Sequence, residues 1–364
     1  MPQISHLSPK CFYPLGCLYG WGVRLRNFCF DQGWLRSRSY PIPVICVGNI
    51  TAGGTGKTPH VEYLLTLLGE RYRMAVLTRG YGRRTKGLVV AEASSSVEEV
   101  GDEPRQIKRK YPHVMVIVDG NRCRAMDYLM GLSEAERPQV VVMDDGFQHR
   151  YIRPSYSIVL VDATQPVWEE RLLPCGHLRE PLTALDRADC VIATKCPTDM
   201  PPIGQRIIKR SLKLFPHQRI YFSRIKYQPL RPLIGLLTEG VGLEASPPPQ
   251  PGAPVIQLTG IANPEPLEAY LGKQYRVIDK WVYRDHYPFA PSDVRQWSEQ
   301  ARDLSKDCAS WTVVCTEKDA MRLLDIASTI PQELLTRIYY LPISIQILDK
   351  EKDFIHLIGR LAGG

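Results

Sequence analysis

Short apolar runs alternate with helical stretches along most of the chain after Tyr40. Seven runs are candidate strands, at residues 43–49, 74–80, 114–120, 140–146, 157–163, 190–195 and 219–225. They are almost continuous in valine, isoleucine and leucine, as strands buried on both faces require. The pattern therefore predicts an α/β fold with a doubly wound, mostly parallel sheet that is covered by helices.

A proline-rich stretch, EASPPPQPGAP at 244–254, interrupts this pattern, because proline fixes φ and removes a backbone donor. Beyond it the chain alternates helical stretches with the strand-like runs VIQLTGI, RVIDKWVYRDH, WTVVCTEKD and RIYYLPISI. These runs predict a second, smaller α/β domain. The expected organisation is an N-terminal helix within 1–40, a core domain at 41–226, a connection at 227–254 and the smaller domain at 255–364.

The segment 11–35 is rich in aromatic and aliphatic residues, with arginines among and after them. Its helical stripe consists of Leu15, Leu18, Gly22, Leu25 and Phe28. Such a stripe is typical of a helix packed on a domain core. It also fits a basic amphipathic helix that lies on a membrane surface. No apolar run approaches the roughly 18–20 residues that span a bilayer, so we expect a chain that does not cross one.

The composition of this 364-residue chain is that of an ordinary globular protein, with a formal net charge of +8. The charge favours an acidic partner, but it does not choose among nucleic acid, an anionic membrane surface and a phosphorylated substrate. Ten cysteines are scattered without a C-x-x-C pair, and no signal peptide precedes them. We therefore expect reduced thiols in a cytosolic protein.

The stretch GNITAGGTGKTP lies between the first candidate strand and a plausible helix, VEYLLTLL. It resembles the phosphate-binding P-loop, G-x-x-x-x-G-K-[ST]. The candidate nucleotide-binding residues are Gly53, Gly54, Thr55, Gly56, Lys57 and Thr58. Backbone N–H groups of the loop would wrap the phosphates of a nucleotide. Lys57 would neutralise phosphate charge, and the Thr58 hydroxyl would ligate Mg²⁺.

Two positions of this loop depart from known patterns. Thr51 stands in place of the first consensus glycine, with Gly53 and Gly54 supplying the flexibility instead. The string GGTGKT also resembles the deviant loop of the partition and division-site ATPases. That class carries a signature lysine where this chain has Ala52, which argues against it.

The run VVVMDDGFQHR ends a buried candidate strand with Asp144 and Asp145. In P-loop enzymes an aspartate at such a strand end holds Mg²⁺, directly or through water. Two adjacent carboxylates repel each other unless a cation offsets their charge. An exposed turn is the alternative, but the strand end and the upstream P-loop favour a metal site.

The string GDEP places Asp102 and Glu103 together before a proline. One carboxylate is suited to receive the proton of an acceptor hydroxyl while the other assists with Mg²⁺. The alternative is structural, because an aspartate before a helix commonly caps its free N–H groups.

Further polar residues follow candidate strands on the side of the sheet where open α/β folds bind ligands. They are Arg79, Tyr81, Arg122, Arg179 and Glu180. Scattered arginines are usually solvated charge, but several around a phosphate site suggest a second phosphate or a polyanion. In the predicted C-terminal domain, RDHYPF contains Asp285 and His286. A lone histidine is commonly structural, whereas an Asp-His pair can tune a proton acceptor.

Taken in order, these motifs resemble those of the tetraacyldisaccharide 4'-kinases, the lipid A 4'-kinases of Gram-negative envelope biogenesis. The motifs are GNITAGGTGKTP, LTRGYGR, GDEP, DDGFQHR, LLPCGHLREP, RDHYPF and TEKDAMR. The resemblance extends over nearly the whole chain, and the combination is far more specific than the P-loop alone. It implies transfer of the ATP γ-phosphate to the 4'-hydroxyl of an acylated glucosamine disaccharide 1-phosphate, with Mg²⁺.

The resemblance also implies roles for particular residues. The implied catalytic residues are Asp102 as proton acceptor, His286 as its support, and Lys57. The implied metal residues are Thr58, Glu103, Asp144 and Asp145. The implied substrate contacts are Tyr81, Arg122 and Arg179. Relatives are peripheral proteins on the cytoplasmic face of the inner membrane, which favours the membrane interpretation of the segment 11–35. We expect a monomer without a nucleic-acid partner.

The chain differs from its apparent relatives at two places. Tyr287 stands where some of them carry a second histidine, and the prolines at 247–254 look like an addition at the domain connection. Two other hypotheses remain open. An ATP-dependent switch of the partition or metallochaperone type would dimerise with nucleotide and need no acceptor. A basic membrane-bound scaffold that retains nucleotide would show no turnover.

Overall fold

A computed structural model describes residues 13–237, 244–307 and 310–363 of the chain. Within these ranges the strands form two sheets, one of nine strands and one of five. None of the helices in these ranges is long and apolar enough to cross a bilayer.

The larger sheet contains most of the strands that the apolar runs predict. Its strands are β1 (Val44–Asn49), β2 (Met74–Thr78), β3 (Val89–Ala91), β4 (Met115–Val118), β5 (Val140–Asp144), β6 (Tyr156–Asp162), β7 (Cys190–Thr194), β8 (Arg219–Tyr227) and β14 (Ile343–Ile347). Their spatial order is β14-β8-β7-β6-β1-β5-β2-β4-β3. The two edge strands, β3 and β14, are antiparallel to their neighbours, and the other pairs are parallel. The predicted α/β class with a mostly parallel sheet is confirmed.

Helices cover both faces of the larger sheet because its strands alternate side chains between two cores. Ile45 and Val47 of β1 belong to one core, whereas Val44 and Cys46 belong to the other. The first core is closed by α2 (Lys57–Leu68), α4 (Asp102–Lys110) and α11 (Glu351–Gly363). The second core is closed by α5 (Arg122–Gly131) and α6 (Pro202–Leu212). A short helix, α3 (Val97–Val100), precedes α4.

The smaller sheet forms the centre of a second unit. Its strands are β9 (Arg231–Pro232), β10 (Pro254–Thr259), β11 (Arg276–Val282), β12 (Thr312–Thr316) and β13 (Ile338–Leu341), in the order β11-β10-β12-β13-β9. Its helices are α7 (Glu265–Gln274), α8 (Pro291–Asp307), α9 (Glu317–Leu323) and α10 (Gln332–Leu335). Trp281 and Trp297 stack in its core with ring centroids 5.8 Å apart.

The end of the chain returns to the larger sheet, which differs from the predicted extent of the C-terminal domain. The run RIYYLPISI is split at Pro342 into β13 in the smaller sheet and β14 in the larger one. Ile345 and Ile347 of β14 pair with β8, and Phe354 of α11 packs in the first core. The segment 343–363 therefore belongs with the P-loop sheet, because its apolar side chains find their partners there.

The first described helix, α1 (Tyr13–Asp31), lies within the predicted segment 11–35, whose first two residues are outside the described ranges. Its buried residues are Gly16, Gly20 and Phe30. The four large apolar residues of the stripe, Leu15, Leu18, Leu25 and Phe28, are exposed. Gly16 faces Cys175 and Gly20 faces Leu172. The apolar stripe of α1 thus points to solvent and does not pack on the core.

Candidate active site

The P-loop connects β1 to α2 at the edge where the parallel strands have their carboxyl ends. Gly53 and Gly56 have φ values of +116° and +86°. Residues with a Cβ atom rarely adopt this backbone conformation. The buried Asn49 supports the loop from the end of β1 and donates to the Thr55 hydroxyl at 3.0 Å. The loop therefore has the strand, turn and helix context that phosphate binding needs.

A second loop, residues 171–180, braces the P-loop. The Ala52 N–H donates to the His177 carbonyl at 2.6 Å, and the Arg179 N–H donates to the Ile50 carbonyl at 2.8 Å. The same loop also holds α1, because the Tyr19 hydroxyl donates to the Arg179 carbonyl at 2.9 Å. Its buried Glu180 accepts from Arg187 at 2.8 Å and from α1, so Glu180 has a structural role.

Asp144 and Asp145 lie beside the P-loop but in different surroundings. Asp145 is an ion-pair partner of Lys57, with Nζ 3.5 Å from Oδ1, and of Arg179 at 3.2 Å. Burial alone would raise the pKa of Asp145, but these two cations hold it below its ordinary value. Asp144 is only 1% exposed. Burial and the charges of Glu103 and Asp145 raise the pKa of Asp144 to about 7.

Asp144 fits a magnesium ligand. Its Oδ2 accepts from the Thr78 hydroxyl at 3.4 Å, while its buried Oδ1 has no hydrogen-bond partner within the described ranges. No group of three or more histidine, cysteine or acidic side chains in those ranges is placed to hold a metal. Mg²⁺ at phosphate sites needs only one or two protein ligands, because phosphate and water oxygens supply the rest. The unpartnered Oδ1 and the buried Thr58 satisfy that requirement.

Asp102 begins α4 and contacts His286 from the second unit. Asp102 Oδ2 lies 2.9 Å from His286 Nδ1 and 3.8 Å from Arg322 Nε. Asp102 is 2% exposed. Burial acts to raise the pKa of this carboxyl, but the hydrogen bond from His286 and the charges of Lys318, His286 and Arg322 lower it overall. The same hydrogen bond raises the pKa of His286.

The capping alternative for Asp102 describes only part of this geometry. Gly101 occupies the N-cap position of α4, and no side chain caps the helix there. Asp102 Oδ1 accepts from the Glu103 N–H at 2.9 Å, while Oδ2 points to His286. Oδ1 thus stabilises the first turn of α4, and Oδ2 accepts a hydrogen bond from His286 of the second unit.

Of the remaining predicted residues, Tyr81 lies beside this pair and Arg122 lies beside Asp144 and Asp145. The Tyr81 ring is 70% exposed, and its centroid lies 5.2 Å from that of His286. Arg122 is buried at the start of α5, where burial lowers its pKa and the charges of Asp144 and Asp145 oppose that change. The structure therefore brings the predicted site residues to one edge of the sheet.

The motif TEKDAMR forms α9, and two of its residues make contacts with the site that the sequence did not predict. Lys318 forms an ion pair with Glu103. Burial acts to lower the pKa of Lys318, but the charges of Glu103 and Asp102 raise it overall. Arg322 lies next to Asp102 and donates to the Gly260 carbonyl at 2.8 Å. Both residues therefore connect the second unit to the acidic pair at the start of α4.

The sequence analysis also did not predict a role for His60, whose side chain contacts the P-loop from the first turns of α2. It is buried in α2, and burial lowers its pKa to about 4. Its Nδ1 lies 2.7 Å from the Gly56 carbonyl, which can only accept, so Nδ1 carries the proton. Its Nε2 then accepts from the Ser223 hydroxyl on β8 at 3.0 Å. A neutral imidazole thus joins the left-handed turn of the P-loop to β8.

Replacing His60 with phenylalanine is expected to lower the free energy of unfolding by about 1–3 kcal/mol and to raise the KM for ATP severalfold. The planar aromatic ring is kept, although phenylalanine is somewhat larger, and Gly56 loses its imidazole donor. Ser223→Ala is the matched control, because it removes only the Nε2 contact. It should lower stability by about 1 kcal/mol and leave the KM for ATP unchanged. Equal ATP KM values in wild type and His60→Phe would restrict His60 to a role in stability.

The P-loop, the buried acid at a strand end and the Asp-His pair define the class of P-loop phosphotransferases. A family model described as "Tetraacyldisaccharide-1-P 4'-kinase" matches residues 9–362. The chain belongs to this family, and the resemblance inferred from its motifs is confirmed.

Individual relatives agree with the family model. A tetraacyldisaccharide 4'-kinase of Porphyromonas gingivalis is 47% identical over 348 residues, which cover 95% of each chain. The protein of the same name from Parabacteroides distasonis is 42% identical over 96% of this chain and 93% of its own. The crystal structure of LpxK from Aquifex aeolicus in complex with ATP matches with a TM-score of 0.70 at 26% identity. That match covers 97% of this chain and 99% of the Aquifex chain.

Proposed function

We propose that this protein transfers the γ-phosphate of ATP to the 4'-hydroxyl of tetraacyldisaccharide 1-phosphate, giving the 1,4'-bisphosphate of lipid A biosynthesis. The observation that carries the proposal is the contact of Asp102 with His286 beside the P-loop. A hydrolase positions water, whereas a kinase needs a proton acceptor for a bound hydroxyl. The names of the relatives supply the identity of that hydroxyl.

Phosphate binding is assigned to the P-loop and its neighbouring cations. The N–H groups from Gly53 to Gly56 surround the phosphates, and Lys57 exchanges its contact with Asp145 for phosphate oxygens. Arg179 remains on Asp145 and restrains that carboxylate. Arg122 and Tyr81 are assigned to the acceptor side of the site. Such positioning and electrostatic stabilisation supply most of the rate of phosphoryl transfer.

Proton transfer is assigned to Asp102. Its lowered pKa keeps it ionised at neutral pH, and His286 fixes the orientation of Oδ2. As the acceptor oxygen attacks, its proton passes to this carboxylate. The hydrogen bond from His286 lowers the pKa of Asp102 and holds its Oδ2, so His286 acts by positioning this carboxylate.

Magnesium is assigned to Thr58 and Asp144, with Asp145 and Glu103 nearby. Bound Mg²⁺ would neutralise the charge that develops on the transferring phosphoryl group. Glu103 is held by Lys318 and raises the pKa of Asp144. This arrangement keeps the acidic cluster ready for a cation, since an added positive charge relieves the repulsion among its carboxylates.

We also propose that the protein is a peripheral protein on the cytoplasmic face of the inner membrane and acts as a monomer. The exposed apolar stripe of α1 supports a membrane contact, because an apolar face without a protein partner suits a lipid interface. The helix is tied by Tyr19 to the loop that braces the P-loop. A lipid held near α1 would therefore lie close to the phosphate site.

The proposal is tested by following radiolabelled γ-phosphate from ATP in detergent micelles that contain tetraacyldisaccharide 1-phosphate and Mg²⁺. A labelled bisphosphorylated lipid is the expected product, and its formation should depend on the lipid concentration. Label that appears only as free phosphate, whatever lipid is offered, would contradict a kinase and favour the ATP-dependent switch. No release of label at all would favour the nucleotide-retaining scaffold.

A further inference from the structure

The outer side of α6 exposes two large apolar side chains. Ile208 and Leu212 of this helix pack in the second core. Ile203 and Ile207, one helical turn apart, are 59% and 53% exposed. Side chains at i and i+4 lie on one side of a helix, so the two isoleucines form a continuous apolar strip. Phe215, which follows the helix, is exposed as well.

The same helix is strongly basic. Its cations, with the residue that follows it, are Arg206, Lys209, Arg210 and Lys213, and all are exposed. No aspartate or glutamate occurs from 200 to 218, although Asp199 precedes this stretch and Asp349 accepts from Gln205 at 2.6 Å. None of the ion pairs between described residues involves Arg206, Arg210 or Lys213. Arg206 and Arg210 border the isoleucine strip, so the surface is apolar and cationic at once.

The helix α6 begins at the functional edge of the larger sheet. The parallel strand β7 ends at the same edge as β1, and α6 begins shortly after β7. Loop 171–180, which contacts α1, contributes Leu178 to the same core as Ile208 and Leu212 of α6. The loop that holds α1 and the helix α6 therefore pack on the same core, and α6 begins at the edge of the sheet where the P-loop lies.

We propose that the outer side of α6, defined by Ile203, Arg206, Ile207 and Arg210, is a second contact surface for an anionic lipid bilayer. Cations beside an apolar strip complement anionic headgroups above acyl chains. A protein partner of the same shape would have to place carboxylates against both Arg206 and Arg210. A bilayer that contacts both α1 and α6 would hold the site in one orientation. A contact through α1 alone would leave the protein free to rotate about the axis of that helix.

The test is sedimentation of the full chain with vesicles of phosphatidylcholine alone and of equimolar phosphatidylcholine and phosphatidylglycerol. The double variant Arg206→Gln/Arg210→Gln should bind the anionic vesicles about 25-fold more weakly, since each cation contributes about fivefold at such a surface. Ile203→Ser/Ile207→Ser should weaken binding to both kinds of vesicle. The matched control is Arg295→Gln/Arg302→Gln, which removes two exposed arginines from α8 and should bind as wild type does.

Two results would overturn the α6 contact. One is vesicle binding of both α6 variants equal to that of wild type, and the other is a wild type that binds no vesicles. Light scattering tests a third outcome. If the wild type is a dimer and the α6 variants are monomers, the outer side of α6 binds a second copy of the chain, and the lipid proposal is wrong.

The contact extends the proposed function, and micelle assays keep the two apart. In micelles the α6 variants should phosphorylate the acceptor as wild type does, because α6 has no residue in the phosphate site. Loss of their micelle activity would contradict a role limited to the bilayer. An inactive wild type in micelles would contradict the proposed kinase, while the vesicle result would still decide the α6 contact.

Discussion

Replacing Asp102 with asparagine is expected to lower kcat by about 10²–10⁴, the usual contribution of a positioned proton acceptor. The side chain keeps its size, but it loses the charge that receives a proton and holds His286. The KM for ATP should change little, because the P-loop contacts remain. The measurement is the steady-state rate of label transfer to the lipid acceptor in micelles.

The pKa of His286 gives an independent readout of the same variant. In wild type the hydrogen bond to Asp102 raises the pKa of His286, so the imidazole keeps its proton to higher pH than a free histidine. In Asp102→Asn this pKa should fall, as measured by NMR titration of the ring. Asp285→Asn is the matched comparison and should lower this pKa less, because Asp285 also raises it but lies 3.8 Å from the other ring nitrogen and is half exposed. Unchanged turnover in Asp102→Asn would rule out Asp102 as the proton acceptor.

Replacing Lys57 with methionine is expected to lower kcat/KM for ATP by about 10²–10³, the typical cost of losing one preorganised charge at a transition state. Asp145 would also lose one of its two cationic partners, so its pKa should rise. Steady-state kinetics against ATP and against lipid separate the effects, and only the ATP parameters and kcat should change. Lys273→Met, on the exposed side of α7, is the control and should be unaffected.

Persistence of full activity in Lys57→Met would exclude Lys57 from phosphate contact. In that case Arg179, the other cation on Asp145, would be the next candidate for neutralising phosphate charge. Tight nucleotide binding with no turnover would instead place Lys57 at the transferring phosphate alone. Equilibrium binding of a non-hydrolysable ATP analogue measures nucleotide affinity separately from turnover and so identifies the second result.

Local sequence was sufficient to predict seven of the nine strands of the larger sheet and its functional edge. Strands buried on both faces require continuous apolar runs, and a P-loop needs glycines at fixed positions. The three-residue β3 was too short for a periodic signal. Residues at strand ends, such as Asp144 and Arg122, could be grouped because parallel strands end at one edge.

Long-range contacts could not be derived from spacing. Asp102 and His286 are 184 positions apart, and only the family resemblance brought them together. Lys318 and Arg322 lie in the short helix α9, and charged residues of a helix are usually solvated. The exposed stripe of α1 shows the same limit, because periodicity identifies an apolar face without identifying what it contacts.

The positions of β14 and α11 affect the order in which the chain can fold during its own translation. The unit that carries the P-loop requires residues 343–363 to complete its edge and to cover α2. During translation the smaller sheet can close as soon as β13 has left the ribosome, whereas the P-loop unit must wait for the segment beyond Pro342. A partly made chain would therefore hold an unfinished nucleotide site.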